Sequence, residues 1–174
     1  MPQAYHADSS DLVTKEVSKV GDIFGVPDKA RTLNDELTGQ VKDLTSQASK
    51  DSQHSAAALW VEAGNSGFYT YGTSSMVQPI LEANGLRNVY DGERKRVFDA
   101  TMEDVLNRDP EWIVLLAQEG DIAKTKPAFL KYKGASQLQA VRKNQVVVIP
   151  FSLTDPPTPQ SIKGAVELNK LLKK

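Results

Sequence analysis

The first fifty residues place apolar side chains at the spacing of an α-helix, with one interruption. Val13, Val17 and Val20 recur at helical intervals. Gly25 followed by Pro27 is the order in which one helix ends and the next begins. A second, narrower apolar stripe follows, and because its other faces are polar we expect this helix to lie along a surface. The stripe consists of Leu33, Leu37, Val41 and Leu44.

Further along the chain, three continuous apolar runs predict buried strands. A strand covered on both faces lacks the alternation of a half-exposed strand, and this is typical of parallel sheets. The small polar residues at 46–56 predict a loop before the first run. The runs are residues 56–61, 112–116 and 145–150.

Helical patterns separate these runs. Thr101 and Asp104 have the spacing of a capping box and predict a helix start. The pattern at 76–84 predicts a further helix that ends at Asn84–Gly85, and residues 160–172 predict a closing amphipathic helix. Strands that alternate with helices through short connections indicate an α/β fold, a three-layer sandwich with a mainly parallel sheet.

In such sheets ligands bind beyond the carboxyl ends of the strands. The segments that follow the predicted strands are 62–73, 117–122 and 151–158. We therefore expect the binding residues of this protein to lie in these segments or beside them.

Composition narrows the classes of function. The chain has 174 residues and a formal net charge of −1, which does not fit a nucleic-acid binder. It contains no cysteine, so disulfides and thiolate chemistry are excluded. No apolar run approaches the roughly 20 residues that a membrane span needs. Residues 1–6 lack the basic start and apolar stretch of a signal peptide, which leaves a cytosolic protein or a trimmed form of an exported one.

Catalytic signatures are missing as well. The sequence has no Gly-x-Ser-x-Gly elbow, and its two histidines, His6 and His54, lie in polar segments where we expect them to be exposed. The glycine-rich segment 64–67 is not followed by the lysine of a phosphate-binding loop, so it predicts a turn. We interpret the chain as a binding module and not an enzyme. A small α/β hydrolase or transferase, and a free-standing cytosolic interaction domain, are the alternatives.

Four segments resemble, in order, a family of substrate-binding proteins. Residues 17–33 (VSKVGDIFGVPDKARTL) resemble the passage after its inter-lobe helix. Residues 68–92 (FYTYGTSSMVQPILEANGLRNVYDG) resemble its strand-end turn, helix and Gly-x-x-Asn turn. Residues 98–115 (FDATMEDVLNRDPEWIVL) and 138–150 (LQAVRKNQVVVIP) resemble its next helix and strand and its Ala-Val-Arg segment. The family is the helix-linked class that serves ABC importers of ferric siderophores, haem and cobalamin.

The resemblance implies an organisation and a function. Residues 1–50 would form the long connecting helix and the helix after it, and residues 51–174 the C-terminal α/β lobe, with the N-terminal lobe absent. It implies a solute receptor for an Fe(III)-siderophore, with haem or cobalamin as the alternative ligand and no cofactor. The expected partner is an ABC permease, and the expected location is outside the cytoplasmic membrane, in a periplasmic or lipid-anchored protein.

Aromatic and basic side chains near the predicted strand ends are the expected ligand contacts. Flat aromatic rings and arginines suit anionic or amide-rich iron chelates through cation–π contacts and charge-assisted hydrogen bonds. A core or solvated position is the other interpretation of each. Tyr71 is also a candidate axial ligand if the molecule is haem. The candidates are Tyr69, Tyr71, Arg94, Arg96, Phe98 and Phe151, with Thr154 beside the last.

Glu103 is the candidate for docking to the permease. In the family that the chain resembles, an acidic residue at this position of the motif pairs with permease arginines. A carboxylate in the first turn of a helix also needs no partner, because the helix dipole stabilises it by about 0.3–1 kcal/mol. Asp104 is the neighbouring alternative.

Overall fold

The computed structural model describes residues 9–48, 54–61, 68–155 and 157–173. Short 3₁₀ turns occur at Glu119–Asp121, Ala135–Gln137 and Phe151–Leu153. The helices are α1 (Ser9–Ile23), α2 (Pro27–Gln47), α3 (Val77–Ala83), α4 (Met102–Arg108), α5 (Ile122–Leu130), α6 (Gln139–Arg142) and α7 (Pro159–Leu172). The strands are β1 (His54–Val61), β2 (Phe68–Tyr71), β3 (Leu86–Asn88), β4 (Val97–Ala100), β5 (Trp112–Ala117) and β6 (Val146–Pro150).

The six strands of the described residues form one mixed sheet, in which five follow the order β4-β2-β1-β5-β6 and the sixth, β3, pairs with β1. β1, β5 and β6 are parallel neighbours, as the apolar runs predict. β2 pairs antiparallel with the carboxyl half of β1, whereas β3 pairs parallel with its amino half. β4 pairs antiparallel with β2 and completes the edge. The predicted loop over 46–56 is too long at both ends, since α2 continues to Gln47 and β1 begins at His54.

Helices cover both faces of this sheet, which confirms the three-layer α/β sandwich. In β5, Val114 and Leu116 face one apolar core and Ile113 and Leu115 face the other. The first core includes residues of α3 and α7, and the second includes residues of α4, α5 and α6. Because successive side chains of a strand point to opposite faces, a strand in this position must be apolar throughout.

α1 and α2 form a helical hairpin that lies against the sandwich. Gly25 has a positive φ of 65° and ends the first helix, and Pro27 begins the second, as predicted. Buried Val13 and Leu37 form a third apolar cluster with Met76, which directly precedes α3, and Ile162 of α7. The division of the chain at residue 50 stays a prediction, and residues 1–8 and 49–53 lie outside the described part.

Candidate functional site

Tyr69 and Tyr71 lie in β2, an extended segment, so strand alternation does place them on one face of the sheet. Their environments differ. Tyr69 lies opposite Trp60 of β1 and is 44% exposed, whereas Tyr71 lies opposite Val97 of β4 and is 3% exposed. Of the two, only Tyr69 presents its ring to solvent.

Arg96 forms an ion pair with Asp155, although the two are 59 positions apart in the sequence. The Asp155 side chain is 4% exposed and that of Arg96 is 58% exposed, so the guanidinium is the outer member of the pair. Tyr71 is close to both groups. Burial, with a further contribution from the Asp155 carboxylate, raises the pKa of the Tyr71 phenol well above its usual value, while Arg96 opposes the shift. Tyr71 is therefore a neutral phenol at physiological pH.

An aromatic pair lies beside this cluster. The rings of Trp60 and Phe151 meet edge to face with their centroids 4.7 Å apart. Trp60 is near the carboxyl end of β1, and Phe151 directly follows β6. Sequence reasoning missed Trp60. Its place near the end of the first apolar run is a signal that could have identified it.

We call Tyr69, Trp60, Phe151 and Arg96 the candidate ligand surface. Tyr69 is the cross-strand neighbour of Trp60, and Trp60 contacts Phe151. Arg96 is connected to these rings through Asp155, its ion-pair partner, which follows Phe151 by four residues. Each of the four is at least partly exposed. The surface therefore combines flat apolar rings with one cation that is already paired on its inner side.

Three further candidates do not belong to this surface. Phe98 packs into the core on the other face of the sheet, edge to face with Tyr90 at 5.4 Å between centroids. Arg94 is exposed, and its backbone carbonyl accepts a hydrogen bond of 2.6 Å from the Ser74 hydroxyl. Thr154 is fully buried and its hydroxyl donates to the carbonyl of Phe151.

Two glycines hold the segments that bear Arg96 and Asp155. The Gly72 amide donates to the Arg96 carbonyl at 3.3 Å, and a Cβ on Gly72 would overlap the carbonyl oxygen of Glu93. A Cβ on Gly164 of α7 would overlap the carbonyl of Leu153 in the same way. The segments that bear Arg96 and Asp155 therefore approach Gly72 and Gly164, respectively, at distances that only glycine permits.

Glu103 lies in the first turn of α4. The Thr101 hydroxyl accepts a hydrogen bond of 3.2 Å from the Asp104 amide, so the predicted cap is confirmed. The Asp104 carboxylate accepts hydrogen bonds from Tyr90 at 2.9 Å and from Arg108 at 3.3 Å. Glu103 is exposed and has no hydrogen-bond or ion-pair partner within the described residues. Of the two acids, Glu103 is the one free to meet another molecule.

Tyr90→Phe is expected to lower the free energy of unfolding by about 1 kcal/mol. The change removes a hydrogen bond to the half-exposed Asp104 carboxylate and leaves the ring in place, including its contact with the Arg108 guanidinium 4.4 Å away. Urea unfolding followed by circular dichroism measures the difference. Tyr69→Phe removes a hydroxyl from an exposed ring and is the control, with an expected change near zero. Equal destabilisation by both variants would contradict the assignment.

No candidate metal centre is present in the parts of the chain that the structure describes, where no group of three or more His, Asp or Glu side chains comes together. His54 begins β1, and its Nδ1 lies 3.2 Å from a carboxylate oxygen of Glu111. The Ser55 amide and His54 lower the pKa of that carboxyl below its usual value. His6 lies outside the described residues. None of the helices described is long and apolar enough to cross a bilayer.

The chain belongs to the periplasmic binding protein family, whose model matches residues 4–153. The resemblance noted in the sequence is thereby confirmed. The family consists of solute-binding proteins and not of enzymes.

Individual relatives agree with this membership. The chain is 25% identical over 158 residues to the high-affinity heme uptake system protein IsdE of Staphylococcus aureus, covering 86% of this chain and 53% of that protein. It is 36% identical to an ABC-type Fe3+-hydroxamate transport system protein of Saccharomonospora viridis, with a TM-score of 0.87 over 95% of this chain and 56% of the other. The periplasmic heme binding protein HutB of Vibrio cholerae has the same fold, with a TM-score of 0.84 at 15% identity over 97% of this chain and 66% of that one. The chain spans about half the length of the curated relatives that it matches.

Proposed function

We propose that this chain is a ligand-binding lobe of a receptor that delivers a ferric hydroxamate siderophore to an ABC importer. The observation that carries the proposal is the candidate ligand surface, on which exposed rings lie beside a cation. The 36% identity to the Fe3+-hydroxamate protein of Saccharomonospora viridis supports the choice of ligand. Family membership supports a location outside the cytoplasmic membrane.

The charge of the candidate ligand surface favours a chelate of low net charge. Arg96 is already paired with Asp155, so it offers hydrogen-bond donors but little net positive potential. Asp99, which lies opposite Tyr69 in the sheet, adds a further carboxylate nearby. A tris-hydroxamate chelate of Fe(III) is close to neutral and rich in carbonyl oxygens that accept from arginine. A highly anionic catecholate chelate would find fewer unpaired cations here.

Delivery requires a partner in the membrane. We propose that Glu103 of α4 pairs with a basic residue of the permease, because it is the exposed carboxylate of that helix with no partner among the described residues. Lipid anchoring of the parent protein is a separate expectation, which rests on the sequence resemblance alone.

Haem is the second candidate ligand, favoured by the similarity to IsdE. Tyr71 is a poor axial ligand, because a buried phenol with a raised pKa resists the deprotonation that an Fe(III)–phenolate bond requires. Tyr69 is exposed on the same face and is the phenol that haem would use. The hydroxamate assignment and the haem assignment therefore predict different effects of substitutions at Tyr69.

Titration with ferrioxamine B, ferric enterobactin, haemin and cyanocobalamin tests the proposal. Trp60 lies in the candidate ligand surface, and Trp112 lies four residues earlier in register, roughly 13 Å along the sheet. The chain has two tryptophans, so Trp112→Phe leaves Trp60 as the single reporter and Trp60→Phe leaves Trp112. We expect ferrioxamine B to quench the first variant more strongly than the second.

Tyr69→Ala is expected to weaken ferrioxamine B binding roughly tenfold, because it removes an exposed ring from the surface without opening the core. Phe24→Ala removes a ring that is even more exposed, directly after α1, and is the control. A Soret shift with haemin that disappears in Tyr69→Phe would transfer the assignment to haem. Binding of ferrioxamine B that neither Tyr69 variant alters would refute the surface.

A further inference from the structure

Basic residues are concentrated in one part of the chain. Residues 122–144 contain six basic side chains and no acidic one. The other residues contain fifteen basic and twenty-two acidic side chains, a net charge of −7 in a protein whose total is −1. We call the six the basic strip: Lys124, Lys126, Lys131, Lys133, Arg142 and Lys143.

The two ends of the basic strip meet in the folded chain, and Lys124 also pairs with Asp121 directly before it. The basic strip spans α5, the turn after it and α6, and the Lys126 amino group donates to the Asn144 side chain at 3.2 Å, which ties the two ends together. Five of its six members are exposed and Lys126 is half-buried. Lys131 and Lys133 have no hydrogen-bond or ion-pair partner in the described part of the chain. Their charges are directed to solvent and available to a partner.

Exposed apolar residues accompany these charges. Ile122 and Leu130, at the two ends of α5, are among the exposed large apolar side chains of the protein. A surface with several lysines and isolated aliphatic side chains is typical of segments that lie on a bilayer, where cations meet headgroups and apolar side chains enter the interface. Lysine is a compact charge without the planar fork that arginine uses for specific pairing.

The basic strip also adjoins the helix that bears Glu103. A Cβ on Gly134, in the turn between α5 and α6, would lie 3.1 Å from Leu106 Cδ1 and 3.2 Å from Met102 Cγ, both in α4. Lys133 immediately precedes this contact. A lobe that docks through the start of α4 onto a protein embedded in a bilayer thus brings the strip close to the surrounding lipid.

We propose that the basic strip binds the anionic phospholipid headgroups of the membrane in which the partner permease lies. The orientation rests on the proposed docking through Glu103, but the lipid contact does not depend on the ligand. The net negative charge of the rest of the chain does not prevent it, since the Debye length is about 10 Å at 0.1 M salt and the lipid responds mainly to the surface that faces it.

Cosedimentation of the chain with lipid vesicles tests this proposal. The probes are vesicles of phosphatidylcholine alone and vesicles in which about a third of the lipid is phosphatidylglycerol. We expect binding to the second kind only, and release when the salt is raised from about 0.1 M to about 0.5 M. Absence of binding to anionic vesicles at low salt would overturn the proposal.

Matched triple variants distinguish binding through the basic strip from a general effect of the protein's net charge. K131Q/K133Q/K143Q removes three charges from the basic strip, and K15Q/K29Q/K42Q removes three exposed charges from α1 and α2. We expect the first to weaken partitioning at least roughly tenfold and the second to change it little. Equal loss in both, or tighter binding of the strip to an acidic polypeptide than to anionic vesicles, would refute a lipid site. If only the lipid contact is lost, these variants keep the affinity of the unchanged chain for ferrioxamine B. Failure of the lipid proposal and failure of the ligand assignment are therefore distinguishable.

Discussion

Glu103→Arg is expected to reduce uptake of the ferric chelate at least roughly tenfold while the affinity of the receptor for the chelate stays the same. The Glu103 carboxylate has no partner among the described residues, so its replacement removes no hydrogen bond between those residues. If permease arginines face this helix, a new like charge opposes docking, and such juxtapositions cost several kcal/mol across an interface. Uptake of radioactive iron by cells that depend on this protein measures the effect.

Stability and position must be controlled in that experiment. Reversal of a charge near a helix N-terminus costs about 1 kcal/mol through the helix dipole, which urea unfolding detects. Glu36→Arg makes the same charge change on an exposed position of α2 and is expected to leave uptake intact. Normal uptake by Glu103→Arg, or an equal defect in Glu36→Arg, would show that this carboxylate does not dock.

Gly72→Ala and Gly164→Ala are each expected to lower the free energy of unfolding by about 1–3 kcal/mol, toward the upper end of that range. In both cases the added methyl group meets a backbone carbonyl, of Glu93 or of Leu153, which cannot rotate away as a side chain does. The segments that bear Arg96 and Asp155 must shift instead. We therefore expect weaker ferrioxamine B binding by Gly72→Ala as well. Urea unfolding and the fluorescence titration measure the two consequences.

Gly39→Ala provides the opposite control. Gly39 lies within α2, and a Cβ there meets no atom within 4 Å. Alanine in an exposed helical position should raise the free energy of unfolding by about 0.5–1 kcal/mol. If Gly72→Ala and Gly39→Ala unfold at the same urea concentration, the close approach of the 93–96 segment is not as the structure describes it.

Much of the framework follows from local sequence signals. The apolar runs predicted β1, β5 and β6 because a strand buried on both faces has no other composition. Gly25 and Thr101 marked helix boundaries because positive φ and side-chain capping are properties of single residues. The strands β2, β3 and β4 were not predicted, because three or four residues are too few to show a period.

The candidate ligand surface depended on contacts that no local pattern encodes. Tyr69 and Tyr71 share one face of the sheet, but burial separates them: Tyr71 packs in the apolar core that includes residues of α3 and α7, with Asp155 nearby, whereas Tyr69 stays open to solvent. Arg96 and Phe98 are two residues apart, yet one reaches Asp155 and the other the opposite core. Trp60 meets Phe151, ninety-one positions away, only in the folded chain.

Local sequence signals were enough to predict the α/β class, the parallel centre of the sheet, the boundary between α1 and α2, and the resemblance to a receptor family. Each of these rests on interactions between residues close in the chain or on the composition that burial demands. Contacts between distant segments decide which tyrosine is exposed, that Asp155 pairs with Arg96, and that Glu103 and not Asp104 lacks a partner among the described residues. Such outcomes depend on which distant segments of the chain come into contact. The local spacing and periodicity of residues do not encode these contacts.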